Sequence, residues 1–213
     1  MGQNAMDRCH HMGIPFIISA PSGAGKTSIC RKTRSVIPDL AFSISYTTRE
    51  KRKGEREGED YYFISVETFK RMIDENRFLE WAKVHGHYYG TSKDFVTDKI
   101  DRGIDCLLDI DIQGAKRLKD IYPNGIYIFV IPPSLEELKS RLSGRQTENQ
   151  DEIDLRLKNA LSELRAFKEY QYLIINDDFS RAVEELKSII LAERCRLQKR
   201  QTLVEDILTS KVP

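Results

Sequence analysis

The stretch from residue 14 to residue 36 constrains this chain more than any other. Residues 14–20 form an apolar run of strand length. A glycine-rich turn follows, Ser19-Ala20-Pro21-Ser22-Gly23-Ala24-Gly25-Lys26-Thr27, and residues 26–36 read as a helix stopped before Pro38. A strand that enters a tight turn and leaves as a helix gathers backbone N–H groups at the helix N-terminus, where the dipole also favours an anion. Gly23 and Gly25 leave those N–H groups unobstructed by Cβ atoms. The pattern predicts a loop that cradles phosphates, with Lys26 as a point charge between β- and γ-phosphates and the Thr27 hydroxyl as a Mg²⁺ ligand. The strict form of the motif opens with glycine; here that position is Ala20, while Gly25-Lys26-Thr27 is intact.

Apolar runs alternate with helical patterns along most of the chain. Residues 41–46, 106–110, 126–131 and 172–175 read as strands, and residues 113–121 as a helix. Ser134-Leu135-Glu136-Glu137 opens another helix with a capping box. The helix from about Glu152 carries Ile153, Leu157, Ala160, Leu161 and Leu164 on one stripe. The helix from about Ser180 carries Val183, Leu186, Ile190 and Leu197. Helical stripes of this kind are core packing. Strands alternating with helices predict an α/β fold whose parallel sheet is covered on both faces.

Charge narrows the partners. Lys and Arg number 34 and Asp and Glu 33, a net charge of +1. No global basic field is available for nucleic acid or an anionic membrane, so an anion site has to be local. No apolar run approaches a bilayer span. Cys9, Cys30, Cys106 and Cys195 are scattered without a C-x-x-C pair, which points to reduced thiols in a cytoplasmic protein. Residues 1–12 read as a flexible extension. The C-terminal helix and tail to Pro213 are long enough to pack on the core or on a second subunit.

Residues 46–91 break the alternation and read as a small insertion with its own β content, of the kind that carries substrate recognition. Within it, Arg49, Arg52 and Tyr61 can grip a phosphate dianion. Tyr88-Tyr89-Gly90-Thr91 offers hydroxyls, and Glu80, between Leu79 and Trp81, is a carboxylate in a partly apolar setting. The N1–H and exocyclic amine of guanine would satisfy it. The remaining charges, Glu50, Lys51, Lys53, Glu55, Arg56 and Glu57, read as a solvated loop. Asp109 and Asp111, two apart on a strand, are expected on one side of its carboxyl end. There they either organise Mg²⁺ through water or cap the helix ahead of Gln113. Arg141 and Arg145 flank Leu142-Ser143-Gly144, and the polar run to Glu152 reads as a mobile lid, with Arg156 one turn into the next helix. Arginines near a lid suit phosphoryl transfer.

In combination and order, several stretches resemble the guanylate kinase family over residues 14–196. They are the loop from Ala20 to Thr27; Ser43-Ile44-Ser45-Tyr46-Thr47-Thr48-Arg49; Gly54-Glu55 through Gly58-Glu59-Asp60-Tyr61-Tyr62-Phe63; Phe78-Leu79-Glu80-Trp81-Ala82; Tyr88-Tyr89-Gly90-Thr91; Leu108-Asp109-Ile110-Asp111 with Gln113-Gly114; and Ile175-Asn176-Asp177-Asp178. The resemblance implies Mg²⁺-dependent transfer from ATP to GMP, and to dGMP. It implies a core of residues 13–45 and 92–213, a GMP-binding insertion of 46–91 and a lid of about 141–156. Ala20, Pro21, Ser22, Gly23, Ala24, Gly25, Lys26, Thr27 and Ser28 would hold ATP, with Asn176 near its base. Arg49, Arg52, Tyr61 and Tyr89 would hold the GMP phosphate, and Ser45, Glu80, Thr91 and Asp111 would read guanine. Lys26, Arg145 and Arg156, with Arg141 nearby, would stabilise the transferring group; Thr27 and Asp109 would serve Mg²⁺. A non-catalytic phosphoprotein-binding relative is the alternative, but such modules lose the Gly25-Lys26-Thr27 end of the loop.

Overall fold

The structure, a computed structural model, describes residues 12–84, 86–143 and 150–209, without the side chains of 143, 150–154, 156, 202 and 203. Its order is β1 (Pro15–Ser19), α1 (Lys26–Val36), β2 (Leu40–Ser43), β3 (Tyr46–Thr47), β4 (Tyr62–Phe63), α2 (Val66–Asp74), β5 (Phe78–Val84), β6 (His87–Ser92), α3 (Lys93–Asp101), β7 (Asp105–Asp109), α4 (Ile112–Ile121), β8 (Ile126–Ile131), α5 (Leu135–Ser143), α6 (Gln150–Leu164), a 3₁₀ turn at Arg165–Glu169, β9 (Tyr172–Ile175), α7 (Phe179–Arg194) and α8 (Leu197–Thr209).

Five strands make a parallel sheet in the order β2-β7-β1-β8-β9. Every residue of β1 is buried, as a strand covered on both faces requires. Its side chains alternate between two cores. Phe16 and Ile18 pack with Ile29 of α1 and with Leu186 and Ile190 of α7. Ile17 packs on the other face with Val96 of α3 and with Ala115 and Leu118 of α4. The loop after β1 therefore lies at the carboxyl edge of the sheet's middle strand, where open parallel sheets bind ligands.

A second, four-stranded sheet runs β4-β3-β6-β5. Its packing is aromatic: Phe69 of α2 stacks on Phe78 at 4.5 Å and on Tyr88 at 5.3 Å. The expected strand over 41–46 divides here. Ser43 ends β2, and Tyr46 opens the second sheet, where its ring stacks on Tyr62 at 4.8 Å. Aromatic packing draws Tyr46 to the second sheet although the apolar pattern continues without a break. α3 has no counterpart among the helices expected from the sequence; Ser92 caps it by accepting from Phe95 N. Two stripe positions differ from expectation. Leu161 of α6 is 41% exposed. Leu197 is 71% exposed because α7 ends at Arg194 and Leu197 starts a separate helix.

Candidate active site

Gly23 and Gly25 both adopt left-handed backbone, with φ of 92° and 89°. A Cβ at Gly23 would stand 3.1 Å from Leu138 Cδ1 and from Leu142 Cδ2. The loop thus needs glycine both for its turn and for its seat against α5. Gly25 caps α1 without a side chain, and the helix's first turn holds no acidic residue. Nothing in that turn opposes an anion.

Lys26 and Thr27 both turn toward Asp109 at the end of β7. Thr27 Oγ1 donates to Asp109 Oδ2 at 2.8 Å, Lys26 pairs with Asp109 Oδ1, and Lys26 Nζ also donates to the Ile110 carbonyl at 2.7 Å. Burial works against the lysine's charge, but the Asp109 carboxylate outweighs it and holds the ammonium above its ordinary value. The two aspartates do not share a strand face. β7 stops at Asp109, and Asp111 is the N-cap of α4, its Oδ1 accepting from Gly114 N at 2.6 Å. The strand ends two residues before the same-side rule could apply, and a capping aspartate satisfies the next helix instead.

The second sheet gathers two further groups. Arg49 lies over the Tyr61 ring, 5.5 Å from its centre, and Tyr61 meets Tyr89 edge to face at 5.9 Å. Burial pushes the Tyr61 phenol up. Arg49 also pairs with Glu55 at 2.7 Å, so Glu55 is a partner of that cluster rather than a solvated loop charge. The Arg52 side chain stays exposed, as does Ser28. Glu80 is buried opposite Thr91, whose hydroxyl donates to Glu80 Oε1 at 2.6 Å. Burial, aided by the nearby Asp111 carboxylate and opposed by the Thr91 bond, raises the Glu80 carboxyl to about 7. A small cavity lies between Thr27 and Asp109 on one side and Ser45, Asp60 and Tyr61 on the other; Glu80 and Arg49 do not line it.

Asn176 is buried, and its Nδ2 donates to the Ala24 carbonyl within the loop at 2.7 Å. Arg141 binds Glu137 at 2.8 Å and the Asn176 carbonyl at 3.0 Å, tying α5 to the end of β9. Arg145 and the side chain of Arg156 lie outside the described residues. Three further residues take part that the sequence patterns do not single out. Glu163 Oε2 accepts from Ser22 N at 3.3 Å, and burial holds its carboxyl above the usual range. Its signal was positional: it falls two helical turns after Arg156, on the same face. Asp60 pairs with Arg31 of α1, linking the second-sheet region to the loop's helix. The third is Gly114: a Cβ there would meet the Glu80 carboxylate. No local sequence signal marks either of these pairings.

A parallel sheet with a glycine loop at the edge of its middle strand, closed by a lysine, a threonine and an aspartate, is the architecture of a P-loop nucleotide-binding protein. A family model described as guanylate kinase matches residues 12–193. The curated guanylate kinase of Geobacter metallireducens is 54% identical over 86% of this chain and 91% of its own length. That of Geobacter sulfurreducens is 49% identical over 92% of this chain and 97% of its own. A crystal structure of guanylate kinase from Anaplasma phagocytophilum matches with a TM-score of 0.74 and 33% identity, covering 87% of this chain and 88% of that one. The chain belongs to the guanylate kinase family.

Proposed function

We propose that the protein transfers the terminal phosphoryl group of ATP to GMP, and to dGMP, giving ADP and the nucleoside diphosphate. The observation that carries the reading is the convergence of Lys26 and Thr27 on Asp109 beside the glycine loop, with Ser45 and Tyr61 facing Thr27 and Asp109 across a small cavity. Family membership supports the same assignment. A phosphate oxygen of GMP attacks the γ-phosphorus of ATP in line, and the bond to the ADP oxygen breaks. The attacking oxyanion is already ionised at neutral pH, so positioning and charge neutralisation suffice without a general base.

In this reading Ala20 to Ser28 wrap the ATP phosphates, Lys26 neutralises charge as it shifts toward ADP, and Asn176 serves the base side. Arg49, Arg52, Tyr61 and Tyr89 hold the GMP phosphate. Arg145 and Arg156, with Arg141 nearby, act on the transferring group. Glu80, with Ser45, Thr91 and Asp111, reads guanine: the N1–H and 2-amino groups donate to the carboxylate. Adenine offers no such pair, and a buried acceptor left unsatisfied costs about 1–3 kcal/mol, more when charged. Residues 13–45 with 92–213, 46–91 and 141–156 serve as core, GMP-binding insertion and lid.

The residues present fit a magnesium ion. Thr27 and Asp109 offer hard oxygen donors 2.8 Å apart. Among the described residues no three His, Cys, Asp or Glu cluster to cage a metal. That donor set suits an ion held mainly by substrate phosphates and water. Thr27 and Asp109 would hold it, and when bound it supplies charge neutralisation at the phosphates. We place the protein in the cytoplasm, a setting suited to the free thiols of Cys30, Cys106 and Cys195. Among the described residues no helix is long and apolar enough to cross a membrane.

The test is ADP release from Mg·ATP with GMP, dGMP, AMP, UMP, CMP or no acceptor. Turnover confined to guanine nucleotides is expected. A folded protein with no turnover on GMP would overturn the assignment.

A further inference from the structure

We infer that Gly114 is a specificity-determining residue, the common seat of the two carboxylates assigned to guanine. The inference rests on the base-reading role proposed for Glu80 and Asp111. Gly114 lies in the first turn of α4, in the core, while Glu80 comes from β5 of the second sheet. The two meet across the boundary between sheets. A Cβ on Gly114 would collide with Glu80 Oε2, and would stand 2.8 Å from Glu80 Cδ and 2.6 Å from Ile110 Cγ2. Separations under about 3 Å between such atoms force something to move. The absent side chain is therefore the space in which the Glu80 carboxylate sits.

The same residue serves the second acid through its backbone. Gly114 N donates to Asp111 Oδ1 at 2.6 Å. One residue thus fixes Asp111 by its amide and Glu80 by its missing Cβ, while Thr91 holds the other oxygen of Glu80 at 2.6 Å. Glu80 is held from both sides: a hydroxyl from β6 and a bare backbone from α4. Glycine carries a cost within a helix of about 1 kcal/mol against alanine. At this position alanine would be the better helix former, so the glycine answers to its close neighbours, the Glu80 carboxylate and Ile110 Cγ2, and not to the helix.

Gly114 is a positioning residue, and its effect has to pass through Glu80. The experiment is a double-mutant cycle of Gly114→Ala and Glu80→Gln, read as the ratio of kcat/KM for GMP to that for AMP, with KM for ATP measured alongside. Gly114→Ala is expected to lower the ratio about tenfold or more through a raised KM for GMP, with KM for ATP changed less than about twofold. In the Glu80→Gln background the same substitution should change the ratio less than about twofold, because contacting residues that act together are not additive. A Gly114→Ala enzyme with undiminished selection, or an equal loss in both backgrounds, would overturn the inference. Should Gly114→Ala fail to fold, Glu80→Ala and Ile110→Ala are each added to it, since both residues crowd the Cβ: folding rescued by Glu80→Ala supports the seat, and rescue by Ile110→Ala alone, or by neither, overturns it. A wild-type protein without GMP turnover would instead sink the functional reading itself.

Discussion

Glu80 shows how one residue's surroundings set a measurable behaviour. Its carboxyl is raised to about 7 by burial. The base-reading role proposed for Glu80 needs the carboxylate, so in that role a proton on Glu80 would compete with GMP. KM for GMP should rise roughly tenfold for each pH unit below about 7 and level off above it, by linkage. KM for ATP should not follow, and a flat GMP profile between pH 5.5 and 8 would remove Glu80 from base reading. For stability the sign is opposite to that of a salt-bridged acid. The native state holds the proton more tightly than the unfolded chain, so the contribution is full below the unfolded value and is lost as pH rises toward 7. At this scale the sequence was legible where chemistry and spacing agreed. Lys26 and Thr27 meet Asp109. Asp111 was not legible in detail, since where a strand stops depends on the cap the next helix recruits.

Elements with sharp boundaries in the sequence also have them in the structure. The helix at Lys26–Val36 and the strands at Ile126–Ile131 and Tyr172–Ile175 have the predicted bounds. Each is a β-branched or periodic run closed by proline, glycine or polar residues. Those that escaped were short or weakly marked: α3 buries only Val96 and Ile100 among its nine residues. How elements dock was not readable at all. Arg194, the last residue of α7, donates to Asp105 Oδ2 at 2.6 Å and to the Asp39 carbonyl at 3.1 Å, and Asp105 Oδ1 accepts from Ile14 N at 2.7 Å. One guanidinium thus joins α7, the β7 start and the β1 start through pairs more than 85 residues apart in sequence. Arg194→Ala leaves Asp105 buried with one bond fewer, at a cost of about 1–3 kcal/mol. A lower urea midpoint with unchanged KM for GMP and ATP is expected; an unshifted midpoint would assign the docking to apolar packing alone.

For the whole molecule, the two sheets meet where the chemistry is assigned. β2 and β3 are separated only by Ile44 and Ser45, and β6 runs directly into α3. Between those crossings Arg31 and Asp60 add a charged link, and Glu80 packs beside Gly114. The break in the strand–helix alternation that the second sheet occupies was visible in the sequence. The points of contact were not, because they join residues with no common pattern.

The ion pair between Lys26 and Asp109 has a kinetic consequence. With a net charge of +1 over 213 residues, the protein has no long-range field to draw a polyanion in. The loop's own lysine is already neutralised by its neighbour before a nucleotide arrives. Capture of ATP is then a local exchange of partners after encounter, not guided diffusion. Raising ionic strength from about 0.01 M to about 0.15 M shortens the screening length from roughly 30 Å to roughly 8 Å. Stopped-flow association of ATP should change less than about threefold across that range. A rate falling tenfold or more would mean that the exposed arginines pull ATP in from a distance.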